Sequence, residues 1–414
     1  MGCNIESAKL GSEHGVYLIT AGEKKEIRIA WLIAGDEDGG VAQAVRGLAG
    51  AVRPLGIHPT IVALREGPFS ESLRAAGFDV RAMNNVALFP ALRGGLAAKL
   101  RGQMRVRRAT SVTRPKLAQL LSGLGVDAVT VLWPNLMPLA AMAAHDAGIA
   151  SFWEMPNVMG KYPLGANRRL TQHTLHRWNV TALANSRYTA ATLGYYPVKP
   201  ITLYLGADET RFTPDRSDFL PRSALGIPDE AIVLGIVGWL TPDKGQALIV
   251  KALAQLPMDC SGTHLLLCGP AEVGFPDELR AAAQRLGIAD RLHLVGSVPD
   301  PERYYGAIDV AINAYLGAES FGLSVAEAMM MGKPVLVHAL GGPAETVIDG
   351  VTGWHVHEPT VAGFKAGLLG ALTDREKWAA MGAAGRQRAL EHFSLSRQAK
   401  QYVEIVRKRL STDQ

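Results

Sequence analysis

Along this chain, short and almost wholly apolar runs alternate with longer stretches in which apolar residues recur every three or four positions. The runs at 27–34, 60–64, 128–132, 231–237, 264–267, 292–295, 310–313 and 334–338 are rich in Val, Ile, Leu and Ala and bounded by Gly, Pro or Asp. They predict strands buried on both faces. The stretches 41–53, 247–255, 276–286 and 361–372 predict amphipathic helices between them. This alternation is the signature of the α/β class, in which parallel sheets are covered by helices. The most apolar window, 128–144, holds Pro134, Asn135 and Pro138, which would break a membrane-spanning helix, so it reads as strand, loop and helix. No internal repeat with a period of roughly 20–50 residues is evident.

A chain of 414 residues exceeds what one hydrophobic core usually holds, so two doubly wound units are expected. Prolines crowd at 197, 200, 214, 221 and 228, which puts the connection there and the boundary near residue 200. The expected division is a flexible leader at 1–26, a first unit at 27–200, a second at 201–394, and a basic amphipathic helix beginning at 395 within a last segment, 395–414. The leader has no sustained apolar run and so predicts neither a signal peptide nor a membrane anchor. Its Gly2-Cys3 start fails the myristoylation pattern, because Glu6 stands where Ser or Thr is required.

Composition narrows the classes further. The 44 Gly and 23 Pro are dispersed, as in a globular enzyme and unlike a low-complexity scaffold. Cys3, Cys260 and Cys268 form no metal-ligand spacing and no disulfide framework, which predicts a cytoplasmic protein without structural metal. A net charge of +5 and a pI near 9.0 suit an anionic substrate or a membrane surface without choosing between them. Residues 80–126 concentrate Arg81, Arg93, Lys99, Arg101, Arg105, Arg107, Arg108, Arg114 and Lys116 with no acid. Within this stretch, 93–116 is either a peripheral contact with the inner face of a membrane or a solvated basic helix.

In open parallel sheets, ligands bind beyond the carboxyl ends of the strands, where loops and helix N-termini present unpaired N–H groups. Four loops have that place. The first, Gly35-Asp36-Glu37-Asp38-Gly39-Gly40, has adjacent glycines that allow close approach of a ligand, or is a turn that only connects; it lacks the dinucleotide-binding glycine spacing. The second runs from Gly238 and Trp239 to Lys244 and Gly245, with Thr241 as N-cap and Pro242 as first helical residue. Lys244 would then stand in a first helical turn, where the dipole disfavours a cation, so an anion is expected beside it unless the side chain bends into water.

The third loop holds Glu319, Ser320, Phe321, Gly322, Leu323 and Ser324, with Glu327 one turn on. Its free N–H groups suit hydroxyls or phosphate oxygens, and Glu327 can accept two hydrogen bonds from a diol. Ser324 and Glu327 also make a capping box, which leaves Glu327 open between the two roles; Glu319 is explained by no cap. The fourth, Gly341-Gly342-Pro343-Ala344-Glu345, repeats the paired glycines, with Glu345 read as a helix cap. Asp349-Gly350 and Thr352-Gly353 read as turns.

These residues together resemble the retaining glycosyltransferases of family four, group 1 glycosyl transferases of the GT-B fold, over about 27–414. The resemblance rests on Glu319 to Glu327 with Ala328-Met329, on Gly332-Lys333-Pro334-Val335, on Gly341-Gly342 and on Asp349 to Gly353. Gly238 to Gly245 and Leu205 to Pro214 support it. It implies two Rossmann-like domains facing a cleft, a nucleotide-sugar in the C-terminal one, and a last helix that crosses back to the N-terminal one. It further implies that Glu319 contacts the donor sugar, that backbone from Phe321 to Ser324 meets sugar and diphosphate, and that Glu327 meets the ribose. Lys244 would neutralise the diphosphate without a metal, backbone near Val298 would meet the base, and Gly39-Gly40 would approach the phosphates. The donor is then a nucleoside-diphosphate sugar used as co-substrate, with no further cofactor and no nucleic acid.

Two positions depart from the family pattern. Trp239 replaces the arginine that usually shares the diphosphate with the lysine, a charge-assisted contact of about 1.5–3 kcal/mol. In place of the usual N-terminal histidine, 151–159 offers Trp153, Glu154 and Asn157, of which Glu154 can assist an acceptor hydroxyl. The expected activity is transfer of a hexose to an acceptor hydroxyl with retention, in cell-surface polysaccharide or glycolipid synthesis and with a lipid-linked or polysaccharide acceptor. A nucleotide-sugar-binding protein without turnover, and an epimerase or phosphorylase on the same frame, are the rival readings.

Overall fold

The computed structural model describes residues 26–37, 39–84, 96–160 and 165–412, with backbone alone for 96–103, 105 and 106. The leader up to residue 25 with Cys3, the loop residue Asp38, and Arg93 lie outside the described residues, as do the side chains of Lys99, Arg101 and Arg105.

Two wholly parallel sheets organise the chain. The first holds β1 (Ile27–Ile33), β2 (Ile57–Ala63), β3 (Asp79–Ala82), β4 (Ala128–Val131), β5 (Ala150–Met155), β6 (Val180–Ala184) and β7 (Ile201–Thr202), in the order β3-β2-β1-β4-β5-β6-β7. The second holds β8 (Ile232–Val237), β9 (Thr263–Cys268), β10 (Leu292–Gly296), β11 (Val310–Asn313), β12 (Val335–His338) and β13 (Gly353–Val356), in the order β10-β9-β8-β11-β12-β13. Every run expected to be a strand is one. The runs are apolar throughout because helices cover both faces, and all six residues of β9 are buried.

The helices of the first unit are α1 (Gly39–Ala51), α2 (Pro68–Ala75), α3 (Leu96–Leu124), α4 (Met137–Ala147), α5 (Ala166–Arg177) and α6 (Arg187–Leu193). Those of the second are α7 (Gln246–Ala254), α8 (Phe275–Arg285), α9 (Leu323–Met330), α10 (Pro343–Thr346), α11 (Val361–Thr373) and α12 (Trp378–His392). Then α13 (Leu395–Thr412) returns to the first unit, where Ala399, Tyr402, Val403 and Val406 enter the core formed with Trp31 and Phe152. Their three- and four-residue spacing puts them on one face of the helix. Tyr402 is fully buried, and its hydroxyl lies 2.5 Å from that of Thr130 on β4.

The structure corrects three expectations. The first sheet extends beyond residue 200, because Ile201 and Thr202 pair with β6, and the connection between the sheets runs through 203–231. In the second loop Pro242–Lys244 is a separate 3-10 turn, and left-handed Gly245 intervenes before α7, so Lys244 lies ahead of the helix and outside its first turn. The capping box does not form: Gly322 is the N-cap of α9 and Ser324 lies inside it. Five strands escaped the apolar-run criterion, β3, β5, β6, β7 and β13. In β5 Ser151 and Glu154 interrupt the run, and β7 has two residues. Among the described residues no helix is long and apolar enough to cross a membrane.

Replacing Tyr402 with Ala should lower stability by about 3–5 kcal/mol, the range for a buried aromatic, while Phe should cost about 1 kcal/mol for the lost hydrogen bond. Shifts in the urea midpoint of each variant measure both; equal, small shifts would show that α13 is not anchored through this ring.

Candidate functional site

Each sheet has one point where strand order reverses, between β1 and β4 in the first and between β8 and β11 in the second. The two points face each other across a cavity of about 350 Å³. Gly39, Gly40, Leu132, Trp133 and Glu154 line it from the first unit, and Gly238, Trp239, Lys244, Tyr315 and Glu319–Ser324 from the second. Ligands of doubly wound sheets bind at such points.

On the second side, Glu319 leaves β11's loop and is pinned where it emerges. Its N–H donates to Leu340 O (3.2 Å) and its carbonyl accepts from Gly342 N (2.8 Å). The paired glycines are needed for this close approach. A Cβ on Gly341 would stand 2.0 Å from Glu319 O, and one on Gly342 2.3 Å from Phe321 Cα. The pair therefore seats the neighbouring loop and does not itself line the cavity. Phe321 is buried against Tyr204 and Phe393. Gly322, left-handed at φ 85°, opens α9, whose first N–H groups have no partner within the helix.

Lys244 Nζ donates to Glu319 Oε2 at 2.9 Å and lies 4.5 Å from the centroid of the Tyr315 ring. The anion expected beside this lysine is thus a carboxylate of the protein, and the side chain neither bends into water nor opposes a helix dipole. Among the described residues that line the cavity, Lys244 is the one cation. Trp239 spans the cleft: a Cβ on Gly39 would meet its Nε1 at 2.9 Å, so the indole rests on the first residue of α1.

On the first side, Glu154 is next to last in β5 and buried, with one carboxyl oxygen lacking a partner. Burial pushes its pKa up to about 8; the Trp31 indole N–H beside it opposes this, but neither atom completes a hydrogen bond of good geometry. Glu37 was not singled out by sequence. Its carboxylate accepts from Ala34 N (2.5 Å), Gly35 N (2.9 Å) and Trp133 Nε1 (3.0 Å), which shapes the first loop.

Glu327 and Val298 are not on the cavity wall. Glu327 is buried one turn into α9, and burial raises its pKa to about 7, with Arg211 opposing the rise and Glu302 adding to it. Arg211 pairs with Glu302 at 2.8 Å. Val298 lies in the loop after β10.

Three contacts between the units also escaped the sequence. Ser320 Oγ donates to Pro156 O (2.9 Å), Asn185 Nδ2 to Ser320 Oγ (3.3 Å) and Thr189 Oγ1 to Ser320 O (3.2 Å). Glu345 caps a helix, as read, but the helix is α6 of the other unit: its carboxylate accepts from Arg187 N (3.0 Å), Tyr188 N (2.6 Å) and the Tyr204 hydroxyl (2.9 Å). The Ser186-to-Thr189 N-cap pattern was the available signal for α6.

Comparison with known proteins follows the same lines. Residues 220–388 match the family model of glycosyl transferases group 1. The chain is 36% identical over 203 residues to a D-inositol 3-phosphate glycosyltransferase of Mycobacterium marinum, 47% of this chain and 41% of that protein. It is 31% identical over 197 residues to a GDP-mannose-dependent alpha-(1-6)-phosphatidylinositol monomannoside mannosyltransferase of Mycolicibacterium smegmatis, 45% of this chain and 51% of that one. The matched segment thus spans about half the length of these relatives or less. Among solved structures, Anabaena Alr3699/HepE in complex with UDP and glucose superposes with a TM-score of 0.75 at 22% identity, over 92% of this chain and 100% of that one. With two parallel α/β units facing one cavity, the chain has the GT-B fold, and its second unit carries the match to the glycosyl transferases group 1.

Proposed function

We propose that the chain transfers a hexose from a nucleoside-diphosphate sugar to an acceptor hydroxyl with retention of anomeric configuration. The observation that carries this reading is the meeting of the Lys244–Glu319 pair and the open first turn of α9 with Glu154 in one cavity. In this reading the diphosphate takes Lys244 from Glu319 and lies on the N–H groups at Gly322–Ser324, with those of Gly39 and Gly40 approaching from the other side. Glu319, released, faces the sugar hydroxyls. No step needs a metal: the charge that develops as the glycosidic bond breaks is met by the lysine and the backbone dipoles.

The acceptor hydroxyl enters on the face that the diphosphate leaves. Burial keeps Glu154 mostly protonated at pH 7, so its part is to orient that hydroxyl, whose proton passes to the oxygen of the departing diphosphate as the bond from the sugar to that oxygen breaks. One named relative acts on a phosphatidylinositol mannoside, which supports a glycolipid acceptor; a cell-surface polysaccharide is the other acceptor in this reading. Nucleotide-sugar binding without turnover is the second reading, favoured by Trp239 in place of a second cation. Release of nucleoside diphosphate in the presence of acceptor separates the two.

Lys244→Ala and Glu319→Ala should each lower turnover by about 10²–10³-fold, the usual cost of one preorganised charge-stabilising group. Near wild-type turnover in both would reject the site. Glu154 gives a pH signature. Between its ordinary pKa of 4.5 and its folded value of about 8, the folded chain keeps a proton that the unfolded chain has lost. Stability contributed by this group therefore falls as pH rises through that window and levels off above it. Glu154→Gln should match the wild type near pH 5 and exceed it by a few kcal/mol near pH 9. A gap in melting temperature that stays constant with pH would show that the carboxyl is not buried as described.

A further inference from the structure

Charge is unevenly spread along the sequence. Residues 80–207 hold fifteen Lys and Arg against three acids, while the rest of the chain holds 28 Lys and Arg against 35 Asp and Glu. Each of the three acids is engaged: Asp127 accepts from Arg28 N (2.8 Å), Asp146 is gripped by Arg114 (2.6 Å to each oxygen), and Glu154 is buried. The acid-free segment 158–207 carries α5.

Helices α3 and α5 cover the same side of the first sheet. Leu117 and Leu121 of one and Leu175 of the other belong to one core, and Arg114 and Arg177 both lie over Trp178, at 5.3 and 5.2 Å from the ring centroid. On the outer side of these helices Arg107, Arg108, Arg168 and Arg169 are exposed and make no ion pair among the described residues. Between the cations stand apolar groups turned to solvent: Leu170 is 59% exposed, Tyr195 53% and Tyr196 88%. The tyrosines are held there by Gln172 of α5, whose amide donates to Leu193 O, Gly194 O and Val198 O and accepts from Val198 N.

We propose that this face docks on a bilayer containing anionic lipid. The arginines are drawn to the negative surface, and Tyr195, Tyr196 and Leu170 enter the headgroup boundary, the level at which tyrosine is stabilised. A soluble polyanion would use the arginines and leave the tyrosines without a role. The proposal moves the membrane contact from 93–116 alone to a surface shared with α5, because Arg114 is already committed to Asp146. It also places the cavity near the bilayer: Asn185, on the cavity wall, is separated from Tyr195 by α6, about 10 Å long.

The test is co-sedimentation of the full chain with phosphatidylcholine vesicles, with and without about 30% phosphatidylglycerol, at about 50 and 300 mM salt. Binding is expected only with phosphatidylglycerol and should weaken at the higher salt. Arg168→Gln with Arg169→Gln should weaken it about tenfold or more, and Tyr195→Ser with Tyr196→Ser should weaken it at both salts. Both pairs are exposed, so melting temperatures should match the wild type. Absence of binding to anionic vesicles at low salt would overturn the proposal. So would retention of full affinity by the tyrosine variant, together with complete competition by soluble polyphosphate. Sedimentation needs no turnover, so its failure and failure of the transferase reading are distinguishable.

Discussion

One carboxylate ties the two units together beside the cavity. Glu345 projects from α10 of the second unit into the N-terminus of α6 in the first, where two backbone N–H groups and the Tyr204 hydroxyl converge on it. Its side chain is 13% exposed. Hydrogen bonds to a charged acceptor are worth about 1.5–3 kcal/mol each, and separating the units would leave both the carboxylate and the helix end to find other partners. Arg388 fixes α10 in turn through the carbonyls of Glu345 and Thr346, each at 2.8 Å. Tyr204 answers the same carboxylate: burial first, and then the hydrogen bond to Glu345, hold its pKa up at about 12, so it remains a donor at any physiological pH.

From that fixed point the cavity follows. The Gly341–Gly342 pair leads into α10 and seats Glu319 and Phe321, so the loop facing the first unit is held by the same short helix that joins the two units. Ser320, between them, bonds to Pro156 in the first unit and receives bonds from Asn185 and Thr189. One loop therefore belongs mechanically to both halves. The Lys244–Glu319 pair spans the same loop, with the lysine 34% and the glutamate 17% exposed. Both side chains keep some contact with solvent, which screens the pair in part.

What could be read from sequence divides along a physical line. Central strands are buried on both faces, so their apolar runs mark them directly, as at β8 and β9. Short or interrupted strands are marked less well: β3 alternates exposed and half-buried residues and β5 contains Glu154, whereas the edge strand β10 was marked by its apolar run. In the site, the residues near the two strand-order reversals were legible because glycines and charges cluster after strong strands. Lys244 and Glu319 were each found, but not their pairing, since nothing local couples positions 75 residues apart. Glu345 shows the same limit from the other side. Its spacing fits a cap, and a cap it is, yet the helix it serves is more than 150 residues away in the chain. Glu327 was open between a ligand and its own N-cap; the cap does not form, because Gly322 rather than Ser324 starts α9, and the carboxyl is buried off the cavity wall.

Trp239 is where local and long-range requirements meet. The family resemblance leads one to expect an arginine there, and its absence removes a charge from the cavity. The position faces the first residues of α1, whose N-terminus carries a partial positive charge. A guanidinium at 239 would therefore be repelled by about 0.3–1 kcal/mol unless an anion lay between them. An indole carries no net charge and lies against Gly39, where a Cβ would stand 2.9 Å from its Nε1. Trp239 and Gly39 are thus complementary: the residue that lacks a side chain makes room for a bulky, uncharged one. The contact bridges the cleft, and among the described residues that line the cavity it leaves Lys244 as the one cation.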